Sequence, residues 1–180
     1  MLLTMNMAAT YNGDDAALVE YARLGNSSAF DQLYLRHRDR VYTLCLNLCG
    51  NHEEARDLLQ ETFVNAWRGL PKFAGRSAFS TWLHSIAVNV CRAARRRRKV
   101  TEPTPVTVDD NPVLADCVHD ALALLQPKHR ILLVLRYSQG LSYQEIGECL
   151  DWSLGKVKIT LHRARLEFKE AYKRMNESEK

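Results

Sequence analysis

The sequence lacks the features of several large protein classes. No apolar run approaches the roughly 20 residues that a membrane-spanning helix needs. The first ten residues, MLLTMNMAAT, contain neither the cations nor the sustained apolar stretch of a signal peptide. Glycine-rich phosphate loops, paired catalytic carboxylates and nucleophile motifs are also missing. These absences predict a cytoplasmic protein without membrane insertion, catalytic residues or a cofactor.

Cysteine occurs too rarely for a dense disulfide scaffold, and its number, five, is odd, which does not suit a disulfide framework. Four of the five cysteines occupy apolar positions of helical patterns, as expected of reduced, buried thiols in a cytosolic protein. The spacing of Cys45, Cys49 and His52 raises the alternative of a zinc site. Because Cys45 belongs to an apolar stripe and no fourth ligand is near, we favour buried thiols and predict no metal. The five cysteines are Cys45, Cys49, Cys91, Cys117 and Cys149.

The charge is small in total but uneven in distribution. The net charge of +4 indicates little by itself. Residues 92–99 read RAARRRRK, with six cations in eight residues, and the acidic segment VTEPTPVTVDDNP follows at 100–112. A cationic run of this density suits a nucleic-acid backbone, and a merely solvated helix end is the alternative.

The apolar pattern predicts an all-α fold of two small helical domains. Residues 1–99 contain four amphipathic helices joined by short loops, which indicates a bundle. Residues 100–112 hold three prolines without apolar periodicity and are predicted to be an extended linker. Residues 113–180 are predicted to form a second four-helix domain, with helices near 113–125, 128–138, 142–150 and 153–174. Helix caps in the first domain are predicted at Asp14, Ser28, Asn51 and Ser77.

Residues 141–165, LSYQEIGECLDWSLGKVKITLHRAR, have the proportions of a helix-turn-helix. Ser142 and Glu145 form a predicted capping box. Asp151 suits a left-handed turn, and Ser153 can cap the second helix. The outer face of that helix is cationic and includes Ile159, whose side chain could contact a thymine methyl group in the major groove. An ordinary helical hairpin with a solvated basic face is the alternative.

Two helix faces in the first domain are not explained by packing. The face on the third helix is acidic and polar, and a solvated surface is its plain interpretation. The face on the fourth helix is polar and ends in the arginine run, which suits nucleic-acid contact. The third-helix face consists of Asp57, Gln60, Glu61, Val64 and Arg68. The fourth-helix face consists of Thr81, Ser85, Val88, Asn89, Arg92, Arg95, Arg96 and Lys99.

These residues carry a family resemblance. The stretches DLLQETFVNAW (57–67) and LPKFAGRSAFSTWLHSIAVNVCRAARRRR (70–98) resemble region 2 of the extracytoplasmic-function sigma factors of bacterial RNA polymerase. The stretch 124–165 resembles their region 4, and the two matches are in the family's order. The resemblance implies a region 2 domain at 1–99, a linker at 100–112 and a region 4 domain at 113–180. Its implied activity is promoter-specific initiation with the polymerase core.

The resemblance also implies roles for individual residues. The residues matching the part that docks on the clamp of the polymerase largest subunit are Asp57, Leu58, Gln60 and Glu61. The candidates for binding the single-stranded −10 element are Lys72, Phe73, Arg76, Ser77, Ser85, Asn89, Arg92, Arg95 and Arg96. The candidates for binding the double-stranded −35 element are Lys156, Lys158, Ile159, Thr160, Arg163 and Arg165. Phe79 and Trp82 match family aromatics, but their spacing favours packing in the core.

The recognition helix departs from the common family pattern. Many relatives have a small or polar residue where Lys156 stands, and serine and arginine where Ile159 and Thr160 stand. Asp151 and Trp152 also replace a frequent turn glycine and a smaller aliphatic residue. Since a good bidentate contact discriminates bases by about 1–3 kcal/mol, these changes predict an altered promoter preference.

The family further implies an anti-sigma factor that holds the protein inactive, although no residue here identifies that partner. A stand-alone, dimeric helix-turn-helix regulator is the main alternative. Such a regulator needs a self-complementary apolar face, whereas the spare faces here are acidic on one helix and basic on another.

Overall fold

The computed structural model describes residues 15–101 and 117–178, and within these ranges every regular element is helical. The first part contains α1 (Asp15–Arg23), α2 (Ser27–Cys49), α3 (His52–Gly69) and α4 (Phe79–Thr101), with a 3-10 turn at Leu70–Lys72. The second part contains α5 (Cys117–Leu124), α6 (Pro127–Leu133), α7 (Tyr143–Leu150) and α8 (Leu154–Ser178). Helix α6 continues into a π-helical turn at Val134–Ser138. The predicted all-α fold is confirmed.

The first domain is a bundle in which α2 packs against α1, α3 and α4. Its apolar stripes meet in a core that includes Leu33, Leu44, Leu70 and Leu83, all with no exposed surface. The edge of this core is aromatic, because the ring centroid of Phe73 lies 4.7 Å from that of Trp82. The predicted packing role of Phe79, which is 5% exposed, and of the partly buried Trp82 is confirmed.

Local caps set the helix bounds, and two predictions of these caps are wrong. The Asn51 side chain accepts a hydrogen bond from Glu54 N–H, as predicted. Helix α2 is capped by Asn26, which accepts from Ala29 N–H, and not by Ser28, which lies inside the first turn. Helix α4 begins at Phe79, so Ser77 lies one residue too early to cap it. Asp14 lies outside the described residues.

In the second domain α8 packs against α5, α6 and α7. The apolar spacing of this helix predicts an inner face of Val157, Leu161, Ala164 and Phe168. The structure agrees, with the first three at 0–1% exposure and Phe168 half-buried. Pro127 occupies the first turn of α6, where its missing N–H leaves no hydrogen bond unmade.

The start of the linker was predicted two residues too early, because α4 continues through Thr101. Residues 102–116 lie outside the described ranges, and so does most of the predicted linker. Within the described ranges four cysteine thiols, those of Cys45, Cys49, Cys91 and Cys149, are free and buried, and burial raises the pKa of Cys149 to about 12. In the described part of the chain, no helix is both long and apolar enough to cross a membrane.

The two domains are in direct contact. Helix α4 packs against α7, and α2 packs against the π-helical turn that follows α6. At this contact the Asn47 side-chain amide donates to Ser138 Oγ at 3.0 Å. The contact decides which part of α4 reaches solvent.

Candidate polymerase and nucleic-acid interfaces

The acidic face of α3 is largely at the surface. Asp57 and Gln60 are exposed, and Glu61 is half-buried. The Glu61 carboxylate accepts a hydrogen bond from the Arg97 guanidinium of α4 at 3.2 Å. Two turns earlier on α3, Glu54 pairs with Arg98. The acids of α3 therefore neutralise part of the arginine run, which the sequence pattern alone did not indicate.

Leu58 does not belong to this surface. Its side chain is only 3% exposed and lies in the core. The structure corrects its assignment as a polymerase-contacting residue, because a side chain so deeply buried cannot reach a docked partner.

The acidic face borders an open apolar groove between α2 and α3. The groove is lined by Phe30 and Tyr34 of α2 and by Gln60, Val64 and Trp67 of α3, among others. Val64 of the polar face is 41% exposed, and Trp67 is 38% exposed, which is high for a tryptophan on an apolar stripe. The 3.6-residue apolar spacing of the third helix predicts Trp67 on the stripe that faces the core, so the aromatic part of this surface was missed. The sequence contained one sign of this surface: the apolar stripe of α3 is wider than a single contact within the bundle requires.

The loop between α3 and α4 presents cations around a buried aromatic ring. Lys72 and Arg76 are exposed, and Ser77 is half-buried. Gly75 has a φ of 66°, a left-handed conformation that turns the loop back towards α4. Phe73 is only 9% exposed and packs on Trp82. The candidate surface role of Phe73 is therefore corrected to a packing role.

Helix α1 forms the other wall of a pocket beside this loop. The pocket is lined by Asp15, Glu20 and Arg23 of α1 and by Ala74 and Ser77 of the loop, among others. No part in a site was predicted for α1 from the sequence. Its contribution depends on α1 packing near the 3-10 turn, a contact that residue spacing does not reveal.

Packing buries one part of the polar face predicted on α4 and leaves the other part at the surface. Asn89, Arg95 and Arg96 are exposed or partly exposed, and Ser85 and Arg92 are half-buried. Ser85 Oγ donates to the Trp82 carbonyl at 2.7 Å. On the same face, Thr81 is 3% and Val88 0% exposed.

His84 is a buried ionisable group on this helix. Burial lowers the pKa of His84 from 6.5 to about 4. The nearby His37 and Arg40 act in the same direction, while a side-chain hydrogen bond with Gln139 and the carboxylate of Glu145, both in the second domain, oppose them. His84 is therefore neutral at physiological pH.

This burial predicts a loss of stability in acid. An exposed His84 takes up a proton below about pH 6.5, whereas the buried side chain resists until about pH 4. The folded state therefore loses free energy relative to the unfolded state as the pH falls through this window. Between pH 7.5 and 5.5 we expect the loss to be about 1 kcal/mol. Urea unfolding of the protein and of His84→Gln should show this loss in the wild type only; equal slopes with pH in both would contradict the prediction.

The second domain contains the predicted helix-turn-helix. Ser142 and Glu145 form a complete capping box at the start of α7. Asp151 ends α7 in the left-handed conformation, with φ 54°. Trp152 N–H donates to the Gly147 carbonyl at 2.9 Å, and Ser153 Oγ accepts from Lys156 N–H at 3.3 Å. Each of these predicted caps and turns is confirmed.

The outer face of α8 presents the predicted −35 candidates together. Lys156, Lys158, Ile159, Arg163 and Arg165 are exposed, while Thr160 is half-buried. Ile159 is 58% exposed, so its methyl groups are available for contact.

Aromatic side chains hold two of these cations in place. The Lys156 ammonium lies 4.1 Å from the centre of the Trp152 ring. Arg165 Nε donates to the Tyr137 hydroxyl at 2.7 Å, and its Nη2 donates to the Tyr143 hydroxyl at 3.0 Å. These contacts were not predicted from the sequence. The two hydrogen bonds of Arg165 join α8 to the π-helical turn and to α7.

The residues of the alternative zinc site are engaged elsewhere. His52 Nδ1 lies 2.7 Å from the Tyr42 hydroxyl, and Cys49 Sγ donates to the Asn51 carbonyl. Cys45 has no exposed surface. Among residues 15–101 and 117–178, no three potential ligands come together as a metal site.

The fold and its surfaces define the class of protein. A helix-turn-helix with a cationic outer helix is joined in one chain to a helical bundle with separate acidic and basic faces. This combination is that of a DNA-binding transcription protein.

The chain belongs to the extracytoplasmic-function group of the sigma-70 family of RNA polymerase sigma factors. Residues 33–101 match the model of sigma-70 region 2, and residues 115–168 match that of sigma-70 region 4. RNA polymerase sigma factor YlaC of Bacillus subtilis (strain 168) is 35% identical over 167 residues, covering 84% of this chain and 96% of the relative. ECF RNA polymerase sigma factor SigW of the same organism is 30% identical over 169 residues, covering 82% of this chain and 90% of the relative.

Two solved structures have the same fold. CnrH, in complex with the cytosolic domain of CnrY, superposes with a TM-score of 0.68 at 26% identity, covering 87% of this chain and 95% of that chain. Sigma factor RpoE, in complex with the anti-sigma factor NepR from Bartonella quintana, gives a TM-score of 0.67 at 25% identity, covering 80% of this chain and 96% of that chain.

Proposed function

We propose that this protein binds the core of bacterial RNA polymerase in the cytoplasm and directs it to promoters, without catalytic chemistry of its own. The observation that carries the proposal is that one chain presents three separate charged surfaces, one acidic and two cationic. These are the acidic face of α3, the cationic loop with the exposed part of α4, and the outer face of α8.

The acidic face of α3 docks on the clamp of the polymerase largest subunit through Asp57, Gln60 and Glu61. The adjoining groove of Phe30, Tyr34 and Trp67 gives this contact an apolar part. An interface with an apolar centre and a charged rim has the usual anatomy of a specific protein contact.

The loop and α4 capture the melted non-template strand at the −10 element. The residues that remain at the surface for this role are Lys72, Arg76, Ser77, Ser85, Asn89, Arg92, Arg95 and Arg96. Phosphate neutralisation by the cations offsets part of the few kcal/mol that unstacking a base costs.

Helix α8 enters the major groove at the −35 element. Lys156, Ile159 and Thr160 lie towards its N-terminal end, where a recognition helix meets base edges. Arg163 and Arg165 lie further along the helix and suit phosphate contacts, and Lys158 adds charge beside them. Each domain alone binds weakly, and the polymerase raises the effective concentration by holding both domains on one DNA.

An anti-sigma factor is the proposed inhibitory partner. Its support is that the solved structures of CnrH and RpoE are complexes with CnrY and the anti-sigma factor NepR, respectively. Each structure superposes over at least 80% of this chain.

Run-off transcription on a genomic promoter library tests the proposed function. Purified core polymerase with this protein should produce defined starts that share two spaced upstream motifs, and core polymerase alone should not. No protein-dependent starts, together with tight duplex binding by a dimer of this protein, would overturn the proposal in favour of a stand-alone regulator. A co-purifying inhibitor should be excluded beforehand by mass spectrometry.

A further inference from the structure

A tryptophan in the turn of the helix-turn-helix holds the first cation of the recognition helix. The Lys156 ammonium lies 4.1 Å from the centre of the Trp152 ring. Both residues depart from the common family pattern, since Trp152 replaces a smaller aliphatic residue and Lys156 replaces a small or polar one. The structure brings these two departures together, so the two side chains form a single unit.

The ring side of this unit is fixed by the fold. Trp152 N–H donates to the Gly147 carbonyl at 2.9 Å, and the residue before it, Asp151, has the left-handed conformation that ends α7. The Trp152 ring is partly buried and packs against the hydrophobic core. Because the turn holds the backbone and packing holds the ring, the fold sets the position of the indole.

The lysine side is fixed at its backbone. Lys156 N–H donates to Ser153 Oγ at 3.3 Å in the first turn of α8. The next residue, Val157, has no exposed surface, which fixes the rotation of α8 about its axis and leaves Lys156 at the surface. Attraction to the ring then restricts a side chain that would otherwise sample many rotamers. An indole has no net charge, so the pairing leaves the lysine charge available to a ligand.

The held ammonium suits a DNA phosphate better than a base edge. Trp152 precedes the first residue of α8, Leu154, by two positions, so a cation on its ring stays beside the turn. Ile159 and Arg163 lie further along the face that the proposed function places in the major groove. Lysine binds phosphate as a point charge, whereas the reading of a guanine edge requires the ammonium to reach into the groove. Restraint by the ring therefore favours the phosphate.

We propose that Trp152 is a positioning residue: it holds the Lys156 ammonium in place for a phosphate at the −35 element, and this contact fixes the register of α8 on the duplex. The inference rests on the proposed binding of α8 to duplex DNA, and it assigns Lys156 to the phosphate backbone and not to a base. A free lysine side chain must be ordered when DNA binds, which lowers affinity. Pairing with an exposed ring removes part of this cost and is expected to tighten duplex binding about two- to fivefold.

Two double-mutant cycles on the full-length protein test the positioning. The first combines Trp152→Leu with Lys156→Gln. The second, the matched control, combines Trp152→Leu with Lys158→Gln, which makes the same charge change at an exposed lysine two positions further along α8. Fluorescence anisotropy at several salt concentrations measures binding to a pool of short, labelled duplexes of randomised sequence.

The two cycles should differ. Trp152→Leu should weaken duplex binding about two- to fivefold in the wild type and in Lys158→Gln, and should have no further effect in Lys156→Gln. Lys156→Gln should reduce the slope of log affinity against log salt by about 0.9, the value for one phosphate contact. Trp152→Leu alone should leave this slope unchanged, because the lysine still reaches the phosphate. Trp152→Phe, which keeps a ring, should bind more tightly than Trp152→Leu.

Equal weakening by Trp152→Leu in the Lys156→Gln and Lys158→Gln backgrounds would overturn the positioning and leave Trp152 a purely structural role. Urea unfolding identifies any variant that is not folded, and the comparison of Trp152→Phe with the wild type then takes the place of the leucine variant. Sequencing of the bound duplexes should give the same base preferences for the wild type and Lys156→Gln.

A preference lost at one base position in Lys156→Gln would overturn the phosphate assignment, because a phosphate contact acts equally on all sequences. Neither cycle depends on polymerase. Failure of the proposed sigma function would appear separately, as the absence of protein-dependent starts in run-off transcription.

Discussion

Gly147→Ala is expected to disrupt the helix-turn-helix and, with it, transcription that depends on the −35 element. A Cβ atom at position 147 would lie 2.8 Å from the backbone oxygen of Trp152. That oxygen cannot swing away, because the turn is fixed by the hydrogen bond from Trp152 N–H to the carbonyl of Gly147 itself. Overpacking of this kind costs about 1–3 kcal/mol, which exceeds the gain of about 1 kcal/mol that alanine brings to a helix interior. Urea unfolding and run-off transcription measure the two effects.

Gly155→Ala is the matched control for this prediction. Gly155 lies in the first turn of α8, and a Cβ atom added there would meet no other group within 4 Å. The same chemical change should therefore leave stability unchanged or slightly raised and preserve promoter-directed transcription. Equal stability of the two alanine variants would show that the turn can relax, and the explanation from close approach would be wrong.

Asp57→Lys is expected to weaken binding to the polymerase core by about 10- to 100-fold. Asp57 is exposed in the middle of α3, so the change leaves the core and the helix caps intact. If the acidic face docks on a cationic surface, reversal of one charge places like charges together, at a cost of several kcal/mol before relaxation. Each tenfold change in affinity corresponds to about 1.4 kcal/mol. Fluorescence anisotropy of the labelled protein, titrated with core polymerase, measures the affinity.

Asp39→Lys makes the same charge change outside the proposed docking face. Asp39 lies on α2, and its side chain is 89% exposed. This variant should bind core polymerase as the wild type does. If the two variants lose affinity equally, the effect is one of net charge and the α3 face has no special role. Leu58→Ala is not a suitable probe, because the loss of a buried leucine destabilises the fold by about 2–5 kcal/mol.

Local chemistry made the second domain predictable in detail. The capping box of Ser142 and Glu145, the left-handed Asp151 and the Ser153 cap each depend on residues within four positions of one another. Interactions of such short range are fixed by residue type and spacing. The apolar spacing of α8 likewise predicted its inner face correctly, since one helix packs along one side of it.

Periodicity was less informative in the first domain, where helices are contacted on more than one side. Helix α4 touches α2 and α3 within its own domain and α7 in the other. A single apolar stripe describes only one of these contacts, so the burial of Thr81 and Val88 was not anticipated. Phe73 was misjudged for a related reason, because an aromatic residue in a loop has no periodicity to reveal its burial.

The sequence by itself determined the helical pattern, the turn chemistry of the helix-turn-helix and the family, since these depend on short-range spacing and residue type. The tertiary structure alone decided which polar side chains reach solvent and which pair with each other. The Glu61–Arg97 ion pair, the Arg130 tie to the Leu48 carbonyl and the covering of α4 by α7 join residues that are 36 or more positions apart. Such contacts depend on how the helices pack in space, and no pattern within one helix contains that information.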